Sequence, residues 1–234
     1  MINNHLPCSD CHGSDCVSEY TTNLYCWSCH KYTRKVTTMQ SPVVTKAAKL
    51  TSFQVPNRVY DHAPTLAWLA KAHISPEVAQ LAQIGFSTAS QRIILPVFQQ
   101  TTIIGYQARR PINGHGPKYL TYKTIDKPIW YELSNHPNSQ VVVVEDILSA
   151  IRIAPFSNVI ALLGTTYDTT ILNYLSKYQD IVVWLDGDEP GKTAAADLIN
   201  RLSLLSTPRQ IITAVDPKLL TDKEIYRVFY DYRS

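Results

Sequence analysis

The sequence predicts an α/β protein: a small β ribbon, then a basic α+β stretch, then a core built on parallel strands covered by helices. Three observations carry that expectation. Two β-branched runs, Val141–Val144 and Ile181–Leu185, are continuous rather than alternating and are bounded by turn residues, as in strands buried on both faces. Both runs end in carboxylates where a helix should start, at Glu145-Asp146 and at Asp186-Gly187-Asp188-Glu189. Four cysteines form two Cys-x-x-Cys pairs before residue 30.

Length and composition bound what these parts can be. The 234 residues, 45% of them apolar, can build one ordinary domain and a small one. The start, Met1-Ile2-Asn3-Asn4-His5, lacks the basic-then-apolar order of a signal peptide. No apolar run approaches the ~18 residues that a membrane helix needs. A soluble, cytoplasmic protein without a membrane partner is expected, so its five cysteines read as thiols or metal ligands rather than disulfides. The net charge of +3 divides unevenly: residues 1–60 and 61–140 each sum to +3, and residues 141–234 to −3. Two mildly basic segments before an acidic one suit a polyanionic partner.

Residues 1–35 read as a zinc ribbon. Cys8-x-x-Cys11 and Cys26-x-x-Cys29, fourteen residues apart, have the spacing of a four-thiolate Zn²⁺ site, each pair forming one tight knuckle. Some thirty residues cannot bury a sufficient core, so the metal would supply much of the folding energy. Cys16 is left over and reads as a free thiol in the ribbon, with exchange for one of the four ligands as the alternative; His12 and His30 read as surface residues. Tyr25, Trp27 and Tyr32 surround the second knuckle, with Lys31, Arg34 and Lys35 close by. Such interleaving suits single-stranded nucleic acid, where bases stack and phosphates pair; Tyr25 and Trp27 serve equally well as the ribbon's small core. Residues 36–60 show no clear period and read as a connector.

Residues 61–139 form the basic subdomain. Thr65 to Ile84 has helical spacing, broken near His73–Pro76 and ended by Gly85. Arg92–Phe98 and Ile103–Arg110 read as a hairpin across a four-residue polar link, with Pro96 marking an edge or bulged strand. Arg109 and Arg110 alternate across the second strand, so only one of them can face a groove. Pro117-Lys118-Tyr119-Leu120 and Lys127-Pro128-Ile129-Trp130-Tyr131 follow.

Residues 140–234 form the acidic core. Besides the two buried runs, Asn158–Leu163 and Gln210–Ala214 read as strands, and Asp168 caps a helix reaching Lys177. Ala195, Leu198, Ile199 and Leu202 repeat at helical spacing. Asp216 is an additional acid at the sheet edge or part of an Asp-Pro turn. Thr221-Asp222-Lys223-Glu224 is a capping box, and Tyr226, Tyr230 and Tyr232 on the last helix read as packing.

Ligands in open α/β sheets bind beyond the carboxyl ends of the strands, which brings Glu145, Asp186 and Asp188 to one edge. Three converging carboxylates repel one another unless a cation neutralises them, and hard oxygen ligands suit Mg²⁺ or Mn²⁺. The competing reading makes these acids helix caps that complement the dipole. Gly191-Lys192-Thr193 imitates the end of a Walker A loop. It fails on spacing, with three residues between Gly187 and Gly191 where four are needed, and on charge, since Asp186, Asp188 and Glu189 would repel phosphates.

A strand ending in Glu, then one ending in Asp-x-Asp followed by Glu-x-Gly and a helix, resembles the Toprim domain of primases, topoisomerases and some nucleases. With the cysteine pairs, the chain is similar to the primase half of phage primase–helicases. The resemblance implies a DNA primase, an RNA polymerase that makes short primers on single-stranded DNA from ribonucleoside triphosphates. It implies catalytic metals on Glu145, Asp186 and Asp188, although Asp146 stands where the family usually has Gly and Ser149 where it commonly has an acid. It gives nucleotide or template binding to Arg109, Lys118 and Lys127, from the similarity of Gly-Tyr-Gln-Ala-Arg-Arg and Lys-Tyr-Leu to the family's basic subdomain. It gives template recognition to the ribbon, with Trp27, Lys31 and Arg34. A separate replicative helicase is an expected partner, and a phage protein in the host cytoplasm the expected setting. A recombination-mediator clamp, which joins four-cysteine zinc to Toprim without catalysis, and a Toprim nuclease are the alternatives.

Overall fold

In the computed structural model the chain divides into two compact units, residues 1–51 and 52–234. The structure describes residues 3–12, 14, 16–19, 23–29, 31–34, 54–111, 116–123, 128–134, 136–137 and 139–231. The connector expected over 36–60 lies outside the described residues as far as 53, as do His30, Lys35, Lys127 and Tyr232 and the side chains of Tyr32, Arg34 and Tyr230.

The first unit is a four-stranded antiparallel sheet in sequential order: β1 Asn3–Leu6, β2 Val17–Glu19, β3 Asn23–Cys26 and β4 Tyr32–Arg34. Among the described residues its buried apolar cluster is Cys8, Cys16, Val17 and Cys26, with Leu6 and Leu24 packed against it. Three of those four are thiols, so burial of apolar surface contributes little to this sheet. Trp27 is 59% exposed and lies outside that core.

The second unit opens with two short helices, α1 Ala63–Ala70 and α2 Pro76–Leu81. Each has a proline in its first turn, and Ser75 caps the second by accepting from the Val78 amide. The helical stretch ends as Gly85 opens β5, Gly85–Ser87, an antiparallel partner of β6 that its short sequence did not announce. β6 Arg92–Gln99 and β7 Thr102–Arg109 form the expected hairpin with a shorter link. Pro96 does not mark an edge, because β6 has neighbours on both sides. It is tolerated because on the side away from β7 the strand pairs with β5 only at 92–94 and with β9, Tyr131–Leu133, only at Gln99. A register shift falls between Val97 and Phe98. β8 Tyr119–Lys123 pairs with the far side of β7.

The remaining strands are β10 Gln140–Val144, β11 Asn158–Ala161, β12 Asp180–Val183 and β13 Arg209–Gln210, interleaved with α3 Ile147–Ile153, α4 Thr170–Leu175 and α5 Glu189–Leu202. The sheet runs β13-β12-β10-β11-β9-β6-β7-β8, with β10 parallel to both β11 and β12. The boundary expected at 139/140 therefore falls within one continuous sheet. Successive β10 residues serve opposite layers: Val142 and Val144 share a core with Ile147, Ala150 and Ile153, and Val141 and Val143 share one with Ile171, Leu175 and Leu198. This is why the run is apolar without alternation. The last strand is shorter than the expected 210–214: beyond Gln210 the chain turns into the site loop, where Thr213 Oγ1 accepts from Trp184 Nε1 and donates to the Val215 carbonyl. A 3₁₀ turn, Pro217–Leu219, and α6 Asp222–Asp231 close the unit. The Thr221–Glu224 capping box forms in both directions. Tyr226 is 60% exposed and so does not pack as expected. No helix among the described residues is long and apolar enough to cross a membrane.

Candidate active site

The chain leaves β10 for β11 on one side, then crosses to β12 on the other. The strand order thus reverses at β10, and the crevice beyond the carboxyl ends of β10 and β12 is the switch point where such sheets bind ligands. Glu145 follows β10 and Asp186 follows β12, and both line a cleft of about 480 Å³ together with Asp146, Asp188 and Asp216. Asp216 arrives from the loop after β13 and opens the Pro217–Leu219 turn, so it is both an acid of the cleft and part of an Asp-Pro turn.

Capping and convergence turn out to be compatible. Asp146 Oδ1 accepts from the Ser149 amide at 2.9 Å, and Asp188 Oδ1 accepts from the Gly191 amide at 2.8 Å, so each acid starts its helix with one oxygen. Glu145 caps nothing. Its Oε2 and the Oδ1 of Asp186 are buried without a hydrogen-bond partner among the described residues, an expensive state for a carboxylate oxygen. Burial, reinforced by the charges of Asp146 and Asp188, pushes the Glu145 carboxyl above its usual range. Burial also pushes Asp186 up, to about 7, against the opposing pull of Lys218. Hard oxygen donors that resist carrying their charge alone are donors a divalent cation suits.

Gly191 makes this loop possible. A Cβ there would lie 2.1 Å from the Asp186 carbonyl oxygen, so the first turn of α5 sits directly under the acid-bearing bend.

The opposite wall is cationic and aromatic. Arg109, at the end of β7, lays its guanidinium 4.1 Å from the centre of the Trp68 ring on α1. It also donates from Nε to the hydroxyl of its cross-strand neighbour Tyr119, 3.2 Å away. Lys118 and Lys71 line the same cleft. Of the arginine pair, Arg109 faces the groove, and Arg110 turns away to donate to the Gly116 carbonyl. Gln107 Nε2 donates to the carbonyl of Leu163, a residue in the left-handed region with φ 70°.

Lys218 was not singled out by the sequence. Its ammonium lies 2.6 Å from Asp146 Oδ2, 2.7 Å from Asp216 Oδ2 and 3.1 Å from Asp186 Oδ2. Burial alone would pull its pKa down; the surrounding carboxylates reverse that and raise it. Trp68, Lys71 and Gln107 were missed as well, because each is an ordinary residue until the fold places it on the cleft wall.

In the first unit all five cysteines gather. The sulfurs of Cys8, Cys11, Cys16 and Cys26 lie within 4.8 Å of one another. Separations of 3.7 Å for Cys11–Cys26 and 3.8 Å for Cys11–Cys16 match the S···S edge of about 3.8 Å that follows from a tetrahedron with Zn–S bonds of ~2.3 Å. Cys29 lies on the exposed flank, its sulfur 3.9 Å from that of Cys8. Cys16 is thus buried in the cluster, which favours the alternative of exchange with a ligand over that of a thiol left over. The register explains it: Val17 pairs with Cys26, and the Trp27 amide donates to the Cys16 carbonyl at 2.8 Å, which ties Cys16 to the second knuckle. The Cys29 amide, aimed at the Cys26 sulfur, pulls that thiol down to about 6, favouring the thiolate that metals bind. Trp27 Nε1 donates to Ser18 Oγ at 2.8 Å while the side chain stays largely exposed. Lys31 is paired with Asp10.

Residues 142–218 match the family model described as Toprim-like. This stretch is a Toprim-like domain. It contains Asp146, Asp186, Asp188, Asp216 and Lys218 along with Glu145. Among solved structures, the zinc-binding and RNA polymerase domains of the Aquifex aeolicus primase align with a TM-score of 0.59 at 20% identity, over 70% of this chain and 55% of that one. The primase fragment of the bacteriophage T7 primase-helicase protein aligns with a TM-score of 0.57 at 17% identity, over 98% of each chain. The chain thus spans about half the length of the Aquifex structure and nearly all of the T7 fragment. No curated protein matches it in sequence. At these identities the likeness is one of fold: a small β ribbon that gathers cysteines, followed by a Toprim-like α/β core.

Proposed function

We propose that the chain is a DNA primase, which joins ribonucleotides into short RNA primers on a single-stranded DNA template. The observation that carries this reading is the cleft, where a carboxylate floor on the Toprim-like sheet faces a wall of Arg109, Lys118 and Trp68. A nucleoside triphosphate needs both surfaces, cations for its phosphates and a cation-loaded acid cluster beside the reacting phosphorus.

Glu145, Asp186 and Asp188 would hold Mg²⁺ or Mn²⁺, and the unpartnered Glu145 and Asp186 oxygens fit such an ion. Held there, the ion would supply charge that lowers the pKa of an attacking 3′-hydroxyl and offsets that of a departing pyrophosphate. Arg109 and Lys118 hold the triphosphate chain, with Lys127 assigned the same task from the sequence. Trp68 and Tyr119 fix the Arg109 guanidinium, so the phosphates meet a cation already in place. The 3′-oxygen forms its bond to the α-phosphorus as the bond to pyrophosphate breaks, and the hydroxyl proton passes to water. Asp146 and Asp188 start their helices and hold the acid loops steady through the reaction.

In the first unit, thiolates from the Cys8, Cys11, Cys16, Cys26 and Cys29 cluster would hold a structural Zn²⁺. The exposed Trp27 would offer a platform for a template base, and Lys31 and Arg34 charge for its phosphates. We further propose a replicative helicase as partner, since the T7 fragment belongs to a primase-helicase protein, and action in the cytoplasm. Co-purification with the helicase supports the partnership; full-rate priming without one removes the need for it.

The test is primer synthesis with labelled ribonucleotides over a panel of short single-stranded templates, in Mg²⁺ and in Mn²⁺. Oligoribonucleotides that depend on template and disappear in Asp186→Ala support the reading. Cleavage of the template in place of synthesis would establish a nuclease, and DNA binding without either reaction would favour a clamp.

A further inference from the structure

The carboxylates of the cleft divide into two sets. Lys218 takes one oxygen from each of Asp146, Asp186 and Asp216. Glu145 Oε2 and Asp186 Oδ1 are left buried and unpartnered among the described residues. Asp186 therefore faces a cation through one oxygen and an unmet demand through the other. In two-ion sites a shared carboxylate commonly bridges metals about 3.5–4 Å apart. Here the place on the second side of Asp186 is filled by an ammonium, supplied by the chain and only 20% exposed.

We infer that Lys218 is a resident cation of this cluster, so that the cleft admits a single divalent ion, at Glu145, Asp188 and the free oxygen of Asp186, where the same acids without the lysine would take two. The inference rests on the metal-dependent reading of the cleft and specifies it further. An ammonium carries one charge and no open coordination position, so it can hold three carboxylates together and position Asp186 but cannot polarise a substrate oxygen as a Lewis acid. The fold enforces the arrangement. Pro217 fixes the 3₁₀ turn that presents Lys218, and Asp216 precedes that turn directly. Arginine would preserve the charge; methionine would preserve the length of the side chain and remove the charge.

Counting Mn²⁺ on the zinc-loaded full chain, by the electron paramagnetic resonance of the free ion, tests this without any reliance on activity. Wild type should bind one Mn²⁺ per chain, Lys218→Arg one, and Lys218→Met two. Lys218→Gln repeats the neutral substitution with a polar side chain should the methionine variant fold poorly, and the wild-type count stands whatever either variant does. Two ions in wild type, or one in both neutral variants, overturns the inference and leaves the primase reading intact. No Mn²⁺ in any form overturns both.

Discussion

The two units solve the problem of gathering like-charged ligands in opposite ways. In the ribbon the cysteine side chains are most of the apolar interior, with Cys8, Cys16 and Cys26 making up three of the four residues in its buried apolar cluster among the described residues. In the Toprim-like core the ligands stand at the rim of a sheet whose interior is complete without them, with Val141–Val144 and Trp184 essentially inaccessible to water. On the proposed reading, the first is a fold that a metal would make and the second a fold that would make a metal site. The donor chemistry follows the same division: soft thiolates suit an ion that would stay, and hard carboxylates one that would exchange with each substrate.

Removing metal should give the largest difference between the two. Structural zinc contributes on the order of 10–16 kcal/mol in small thiolate modules, more than this sheet can gather from Val17, Leu6 and Leu24. With excess chelator, the amide signals of residues 3–34 should collapse toward random-coil positions while those of β10 and β12 keep their dispersion. A ribbon that stays folded without metal would erase the contrast.

Asp186→Asn should act in the reverse sense, leaving the fold and removing the chemistry. The substitution relieves a buried charge that burial already disfavours, so the melting temperature should hold or rise. Priming should fall by roughly a thousandfold, the several kcal/mol of charge stabilisation that a misplaced ion forfeits. Parallel losses of stability and activity would mean that the acid is structural.

How much of this was legible in the sequence tracks the same division. Glu145, Asp186 and Asp188 were readable because each adjoins a run whose continuity marks it as a central strand, and strand ends in such sheets converge. The cysteine knuckles were readable because four-residue spacing is local geometry. What was lost is what only the tertiary fold brings together. Cys16 joins the cluster through the pairing of β2 with β3, Lys218 reaches the acids from a turn thirty residues past Asp188, and Trp68 comes from a helix that precedes the whole sheet. β5, only three residues long, has too few positions for any period to show. Gly191 looked like a fragment of a phosphate loop; the structure gives it a steric reason instead. Gly191→Ala should therefore cost about 1–3 kcal/mol by overpacking, seen as a lower melting temperature. Priming should fall with it, because the backbone displaced carries Asp186.

The smallest effect concerns the wall opposite the acids, where aromatic support rather than ligand charge is at issue. Trp68 touches Arg109 through its ring face, a cation–π contact worth about 0.5–2 kcal/mol, depending on how dry the site is. Trp68→Ala removes the platform but leaves the guanidinium, its bond to Tyr119 and every carboxylate in place. If Arg109 holds phosphates before the reaction and through it, the loss is one of uniform binding: KM for the nucleotide should rise about 3- to 30-fold with kcat nearly unchanged. A fall in kcat at constant KM would place Arg109 on charge that develops only in the transition state, and would make this wall part of the chemistry instead of a holder for the substrate. Arg109→Lys separates the two further, since lysine keeps the charge but loses the planar stacking and the fork of donors. It should reproduce the KM defect of Trp68→Ala, and the double variant should be little worse than either, because both changes dismantle one contact.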